Sequence, residues 1–144
     1  MKIEKTCIQS QKGFSLIEVL FASAVILLLV VGFLGSSTAL QFANQAAYER
    51  SIALQDANQV IERMRNTAVS GTFPGNVTAV YPNNGAVSGF TSLTSEAVSV
   101  TYTDRNGDGN ALTDNPLDVT VTVTYLENGR RNTSMSLRSL ITQR

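Results

Sequence analysis

Residues 14–34 read FSLIEVLFASAVILLLVVGFL, the longest apolar stretch in a chain of 144 residues. As a helix rising about 1.5 Å per residue, this stretch would span about 31 Å, the thickness of a bilayer's hydrocarbon core. It therefore predicts a membrane-spanning helix. All three lysines precede the stretch, and the first charged residue after it is Glu49. The positive-inside rule then predicts a cytoplasmic N-terminus, with the rest of the chain on the outer side.

The composition disfavours most enzyme classes. The chain has no His, the commonest general base and metal ligand. Its single cysteine, Cys7, excludes an internal disulfide, a Cys-rich zinc site and a CxxC redox centre. The 11 basic and 11 acidic side chains form no basic patch large enough to neutralise a row of phosphates, which argues against nucleic acid as the main partner. We therefore expect a protein that is not an enzyme.

One carboxylate, Glu18, interrupts the apolar stretch, and residues 12–20 around it read KGFSLIEVL. If the chain is cut after Gly13, Phe14 gains a free amine one helical turn from the Glu18 carboxylate. Because a buried unpaired charge is costly, pairing of either charge with its counterpart on a neighbouring subunit would fix the axial stagger of packed helices. The simpler alternative places Glu18 at the lipid headgroups, where its charge costs little. The length of the stretch and its carboxylate both argue against a cleaved secretory signal.

Residues 12–20 resemble the prepilin signature of type IV pilins and type II secretion pseudopilins. In that family a membrane peptidase cuts after the glycine, the new N-terminal residue is usually N-methylated, and the glutamate supports assembly into a helical filament. The resemblance assigns cleavage and methylation to Gly13 and Phe14, and assembly to Glu18. It implies three partners: other pilin subunits, the prepilin peptidase and methyltransferase, and the bacterial inner membrane.

The resemblance continues through GFLGSSTALQ (32–41), NQAAYERS (44–51) and IERMRN (61–66), which are similar to the PilV group of minor pilins, the type IV pilus modification proteins. Major pilins commonly carry a proline in the second half of the apolar stretch and a C-terminal cysteine pair, and both are absent from this sequence. The resemblance therefore implies a minor pilin that joins or primes a type IV pilus and modifies adhesion or assembly.

Two alternatives to a minor pilin stay open. A type II secretion minor pseudopilin has the same signature and architecture. A membrane-anchored module that binds calcium or another ligand without polymerising belongs to a different class. For a minor pilin or a pseudopilin, the precursor lies in the inner membrane with its C-terminal domain outside. The mature protein then lies in a pilus at the cell surface or in a periplasmic pseudopilus.

A helical pattern continues past the membrane stretch. Its apolar positions recur every three or four residues at Leu40, Ala43, Ala47, Leu54, Ala57, Ile61 and Met64. We expect the half near Met64 to pack on the C-terminal domain, and the membrane-proximal half to pack on neighbouring pilin helices. Weak helix formers follow Asn66, and Phe73-Pro74-Gly75 is a loop signal, so the helix should end between Asn66 and Gly71.

The remaining residues form a predicted β-rich domain. Apolar residues alternate with polar ones over 98–103 and 117–125, which predicts half-buried antiparallel strands. Asn128-Gly129 predicts a tight hairpin, whose second strand continues the apolar face at Met135, Leu137 and Ile141. Shorter strands are expected at 76–81 and 89–93.

These elements define an α+β fold. A long N-terminal helix would lay its C-terminal half on a small antiparallel sheet, because the apolar stripe and the apolar sheet face can bury each other. The resemblance to pilins implies the same lollipop shape. The expected divisions are a cleaved leader (1–13), a long helix (14–66, with 14–34 in the membrane) and a globular domain (67–144).

The loop DRNGDGN (104–110) joins two predicted strands. Oxygen-bearing side chains at its first, third and fifth positions, followed by glycine, resemble the start of a calcium loop. The twelfth position is Asn115 instead of a bidentate Glu, although Asp114 is adjacent. Two interpretations of the loop stay open, a solvated Asx/Gly turn and a weak calcium site. Its ligands would be Asp104, Asn106, Asp108 and Asp114.

Overall fold

The computed structural model describes residues 15–143. In chain order its elements are α1 (Leu16–Val69), α2 (Gly75–Val80), β1 (Gly85–Val87), β2 (Ala97–Thr103), β3 (Leu117–Glu127) and β4 (Arg131–Ile141). The chain divides into two compact units. The first ends at Gln41 and the second begins at Phe42. The described part of the first unit consists of Ser15 and the beginning of α1.

The first unit exposes its apolar side chains. Leu16 is 84% exposed and Phe33 is 75% exposed, and the intervening leucines, valines and isoleucines also face outward. The hydroxyl groups of Ser23, Ser36 and Thr38 bond to backbone carbonyls of the helix itself, and Ser23 Oγ donates to the Leu20 carbonyl oxygen at 2.8 Å. A helix that is apolar on all sides requires an apolar environment. Among residues 15–143, α1 alone is long and apolar enough to cross a membrane.

The second unit contains a four-stranded antiparallel sheet in the order β1-β2-β3-β4. The register places Val100 beside Val121 and Val121 beside Leu137, so the apolar residues of successive strands share one face. β3 and β4 are joined through Asn128 and Gly129, both of which have positive φ angles (52° and 65°). Asn and Gly enter this region at lower cost than other residues, which explains the tight connection that the Asn-Gly pair predicted.

One face of α1 packs against this sheet in a single buried cluster with the valines of β2 and β3. The buried apolar residues of α1 are Ala53, Ala57, Val60, Ile61, Met64 and Ala68. Leu54 was expected on this face but is 39% exposed. The stripe was misplaced there because the buried face also carries Asp56, a charged residue that an apolar pattern skips. The membrane-proximal positions Leu40, Ala43 and Ala47 are exposed.

The segment between α1 and β2 differs from the prediction. Residues 76–81 were expected to form a strand, but Gly75–Val80 is the short helix α2. Val77 is fully buried in the core, and Asn76 Nδ2 donates to the Thr67 carbonyl oxygen at 2.5 Å, which ties α2 to the end of α1. Residues 89–93 form no strand either, and the first strand is the shorter β1.

The helix α1 ends at Val69, inside the interval expected from the weak helix formers after Asn66. The predicted class is confirmed: a long apolar N-terminal helix is followed by a small four-stranded antiparallel sheet, an α+β arrangement of pilin type.

Candidate functional site

The predicted processing residues Gly13 and Phe14 lie outside the described part of the chain, so their roles stay predictions. Glu18 lies in the first turn of α1 and is exposed. It forms no ion pair with any side chain in residues 15–143. Its carboxylate is the only charge between Phe14 and Glu49 in the sequence.

The surface around Glu18 is apolar. Leu16, Ile17 and Phe21 are 84%, 61% and 66% exposed. In lipid or between packed helices, a carboxylate in such surroundings is costly unless a cation pairs with it. The exposed apolar surface can therefore pack against other helices. Glu18 can form an ion pair with a positively charged group of a neighbour or with the N-terminal amine of its own chain.

The loop between β2 and β3 gathers three of the four predicted metal ligands. One carboxylate oxygen from each of Asp104, Asp108 and Asp114 lies within 4.8 Å of the other two. Asp104 is anchored by two backbone amides, with Gly107 N and Gly109 N each donating to one of its oxygens at 2.7 Å. The backbone of the loop therefore holds Asp104 in place at the end of β2.

Asn106, the fourth predicted ligand, directs its amide to Asp108. The Asn106 Oδ1 accepts from Asp108 N at 2.9 Å, and the Asn106 Nδ2 donates to Asp108 Oδ2 at 3.0 Å. Asp108 Oδ1 accepts in addition from Asn110 N at 2.7 Å. Asn106 thus orients the exposed carboxylate of Asp108.

Asp114 differs from the other two carboxylates because it is only 3% exposed. Its Oδ2 accepts from the backbone N of Arg105 at 3.0 Å. Its Oδ1 is buried and has no hydrogen-bond partner among the described residues. A buried carboxylate oxygen without a partner is rare in a folded protein and calls for an explanation.

A second buried carboxylate, Glu127, joins α1 to the β3–β4 hairpin. Glu127 is 6% exposed, and Arg50 Nε donates to its Oε1 at 3.0 Å. Arg131 lies 3.8 Å from its other oxygen. Glu49, the residue before Arg50 in α1, accepts a hydrogen bond at its Oε2 from Asn128 N at 2.9 Å. Glu127 was not identified from the sequence, because its partner Arg50 lies 77 positions away.

A third buried carboxylate, Asp56, lies on the packed face of α1 and is 7% exposed. Burial raises its pKa to about 6, and the nearby Glu96 contributes in the same direction through a shared hydrogen bond and charge repulsion. The Asp56 Oδ2 and Glu96 Oε1 are both buried, and neither accepts a hydrogen bond from an N–H or hydroxyl group of the described residues. Two carboxyl groups in this arrangement share a proton more readily than they hold two negative charges. This pair was not identified from the sequence.

Comparison with known families gives one match. A family model described as prokaryotic N-terminal methylation motif matches residues 8–34. No curated protein and no solved structure matches the chain significantly. The matched motif is prepilin-like, and together with the apolar start of α1 it supports a type IV pilin-like or pseudopilin protein anchored in a membrane.

Proposed function

We propose that this protein is a minor pilin, a structural subunit that is incorporated into a type IV pilus or primes its assembly. The observation that carries the proposal is the position of one lone carboxylate, Glu18, on an apolar helix surface that lies within the matched methylation motif, residues 8–34. A pilus modification protein of the PilV kind is the specific form that we propose, on the resemblance of residues 32–66 to that group.

The exposed apolar residues of α1 supply the surface through which subunits can pack. In the membrane they face lipid, and in a filament they pack against equivalent helices, so the environment stays apolar throughout. Glu18 supplies the register. A subunit that enters at the correct stagger pairs the carboxylate with a positive amine, and a subunit at any other stagger leaves a charge unpaired in an apolar environment.

The second unit supplies the exposed part of the subunit. Its sheet is packed on α1 through the valine core, while the outward positions of β3 and β4 are mainly polar. Such a surface supports a structural or adhesive role. We propose no catalytic role for this unit.

Processing provides the first test. We expect the membrane-bound protein of the native host to begin at Phe14 with a methylated amine. In a strain that lacks the prepilin peptidase, the protein should retain residues 1–13. Intact-mass and N-terminal peptide analysis of both strains measures this. A mature protein that begins at Met1 in the wild-type host would contradict the proposal.

Localisation provides the second test. Sheared pili should contain the protein at a small ratio to the main subunit, and deletion of its gene should change piliation or adhesion. If deletion instead abolishes export of type II secretion substrates while piliation stays normal, the minor-pilin assignment is wrong and the protein is a pseudopilin.

A further inference from the structure

We propose that the loop between β2 and β3 binds one calcium ion through the carboxylates of Asp104, Asp108 and Asp114. This inference concerns the second unit and does not depend on the role of the protein in a filament. It rests on two observations: the convergence of the three carboxylates, and the buried oxygen of Asp114 that lacks a partner.

The first observation is the close approach of three negatively charged side chains, Asp104, Asp108 and Asp114. Three carboxylate oxygens lie within 4.8 Å of one another. No basic side chain in the described part of the chain forms an ion pair with any of the three residues. Like charges at this separation repel, and the repulsion is relieved when a cation lies between them.

The second observation is the Asp114 side chain. At 3% exposure it is held in place by Arg105 N through Oδ2, while Oδ1 is buried and unpaired. Burying a charged oxygen without a partner is unfavourable, so the native state is expected to supply one. An open depression lined by Arg105, Asn106, Asp114, Asn115 and Pro116 borders this residue.

Ligand chemistry and size favour calcium. All the side chains offered are hard oxygen donors, which suit calcium and magnesium and are poor ligands for softer metals. Calcium binds oxygen at 2.3–2.6 Å, so two ligands of one ion can lie up to about 5 Å apart, which accommodates these three atoms. Magnesium requires near-ideal octahedral geometry and gives up water reluctantly, whereas calcium tolerates an irregular loop that also admits water and carbonyl ligands.

The loop is built to hold these ligands. Asp104 directly follows β2, and Asp114 lies shortly before β3, so an ion bound by both would link the ends of two adjacent strands. Gly109 has a φ angle of 86°, a conformation that side chains disfavour, and its amide anchors Asp104. Asn106 acts on the site through Asp108, whose carboxylate it orients.

The test uses the full chain in detergent micelles after treatment with a chelator, with CaCl2 as the probe. We expect millimolar CaCl2 to raise the melting temperature by several degrees, and calorimetry to give one ion per chain with a Kd of about 0.1 to 1 mM. MgCl2 at the same concentration should give a clearly smaller rise. No rise with calcium, or an equal rise with magnesium, would overturn the proposal.

Three variants locate the site. Asp114→Asn and Asp108→Asn should each abolish the calcium-dependent rise. Asp114→Asn should also be at least as stable as the parent without calcium, because the substitution removes a repelling charge and can retain the bond from Arg105 N. Asp118→Asn changes another buried aspartate outside the loop, and it should keep the calcium-dependent rise. A rise that persists in Asp114→Asn or in Asp108→Asn, or disappears in Asp118→Asn, would contradict the assignment. Since Asp108 is exposed, its variant is informative even if Asp114→Asn fails to fold.

Discussion

Arg50 of α1 and Glu127 of β3 lie 77 positions apart in the sequence and are joined by a hydrogen bond of 3.0 Å from Nε to Oε1. The Glu127 side chain is 7% exposed, whereas the Arg50 side chain is half exposed. The buried carboxylate therefore depends on an arginine that reaches it from the surface. The bond fixes the β3–β4 hairpin to the helix.

We expect Arg50→Ala to lower the free energy of unfolding of the second unit by about 1 to 3 kcal/mol, because Glu127 would keep a buried charge without its main partner. Chemical denaturation in detergent measures this change. Arg65→Ala is the matched control, because Arg65 pairs with Glu62, whose side chain is 62% exposed. That pair should contribute less than about 1 kcal/mol. Equal losses in the two variants would show that burial of Glu127 is unimportant.

The Asp56–Glu96 pair predicts a pH dependence. The pKa of Asp56 is raised from 3.8 to about 6 in the folded state, so its contribution to stability is complete below about pH 4 and is lost as the pH rises through about 6. The melting temperature should therefore fall from pH 4 toward pH 7. The pKa of Asp118 is lowered, mainly by its hydrogen bond with Arg138, so its contribution is lost only at a more acidic pH.

We expect Asp56→Asn to flatten this slope and to stabilise the folded state at pH 7 by roughly 1 to 3 kcal/mol, since an amide can donate to Glu96 and carries no charge. Thermal melts from pH 4 to pH 7 measure both effects. Glu62→Gln removes an exposed acid from the same helix and should leave the slope unchanged. A parent protein whose stability rises over this range would contradict the shared-proton interpretation.

Met64 and Leu54 test which face of α1 is buried. Met64 is fully buried and Leu54 is 39% exposed. Met64→Ala should destabilise the second unit by about 2 to 5 kcal/mol through lost contacts and a cavity, whereas Leu54→Ala should cost far less. Denaturant midpoints of the two variants give the comparison. A loss for Leu54→Ala as large as that for Met64→Ala would place Leu54 on the buried face, as the apolar pattern predicted.

Glu18 tests the assembly role. Glu18→Val should leave membrane insertion intact, because it removes a charge from an apolar helix, and should sharply reduce the amount of protein in sheared pili. Glu62→Val makes the same substitution at an exposed position of the second unit and should be incorporated normally. Quantitative immunoblots of membrane and pilus fractions provide the measurement. Wild-type incorporation of Glu18→Val would refute the pairing role.

Much of the fold is predictable because its signals are local. The apolar stretch, the alternation of Val119, Val121 and Val123 with threonines, and the Asn128-Gly129 pair each specify their own element without knowledge of a partner. The strand expected at 76–81 was wrong, because short apolar patterns fit helices and strands alike. Val77 lies on the helix α2 and is buried by tertiary contacts, which no local sequence pattern reports.

Some of the candidate site residues could be predicted from the sequence and others could not, for the same reason. The oxygen-rich loop was visible because its ligands lie close together in sequence, and Asp114 was included because it lies beside the expected twelfth position. Glu127 and Asp56 were missed because their partners, Arg50 and Glu96, are distant in sequence. Burial of a carboxylate is set by tertiary packing, and no local pattern reports it.

The sheet order, in which each strand pairs only with its neighbour in sequence, implies an order of folding. The connection between β3 and β4 closes over residues 128–130, and short loops have the smallest entropic cost of closure. Sheets with local pairing fold quickly, while the bond from Arg50 to Glu127 requires the closure of a much longer loop. We therefore expect the hairpin to form first and to dock on α1 last. A helix already inserted in a membrane would serve as the surface on which the rest of the subunit completes its folding.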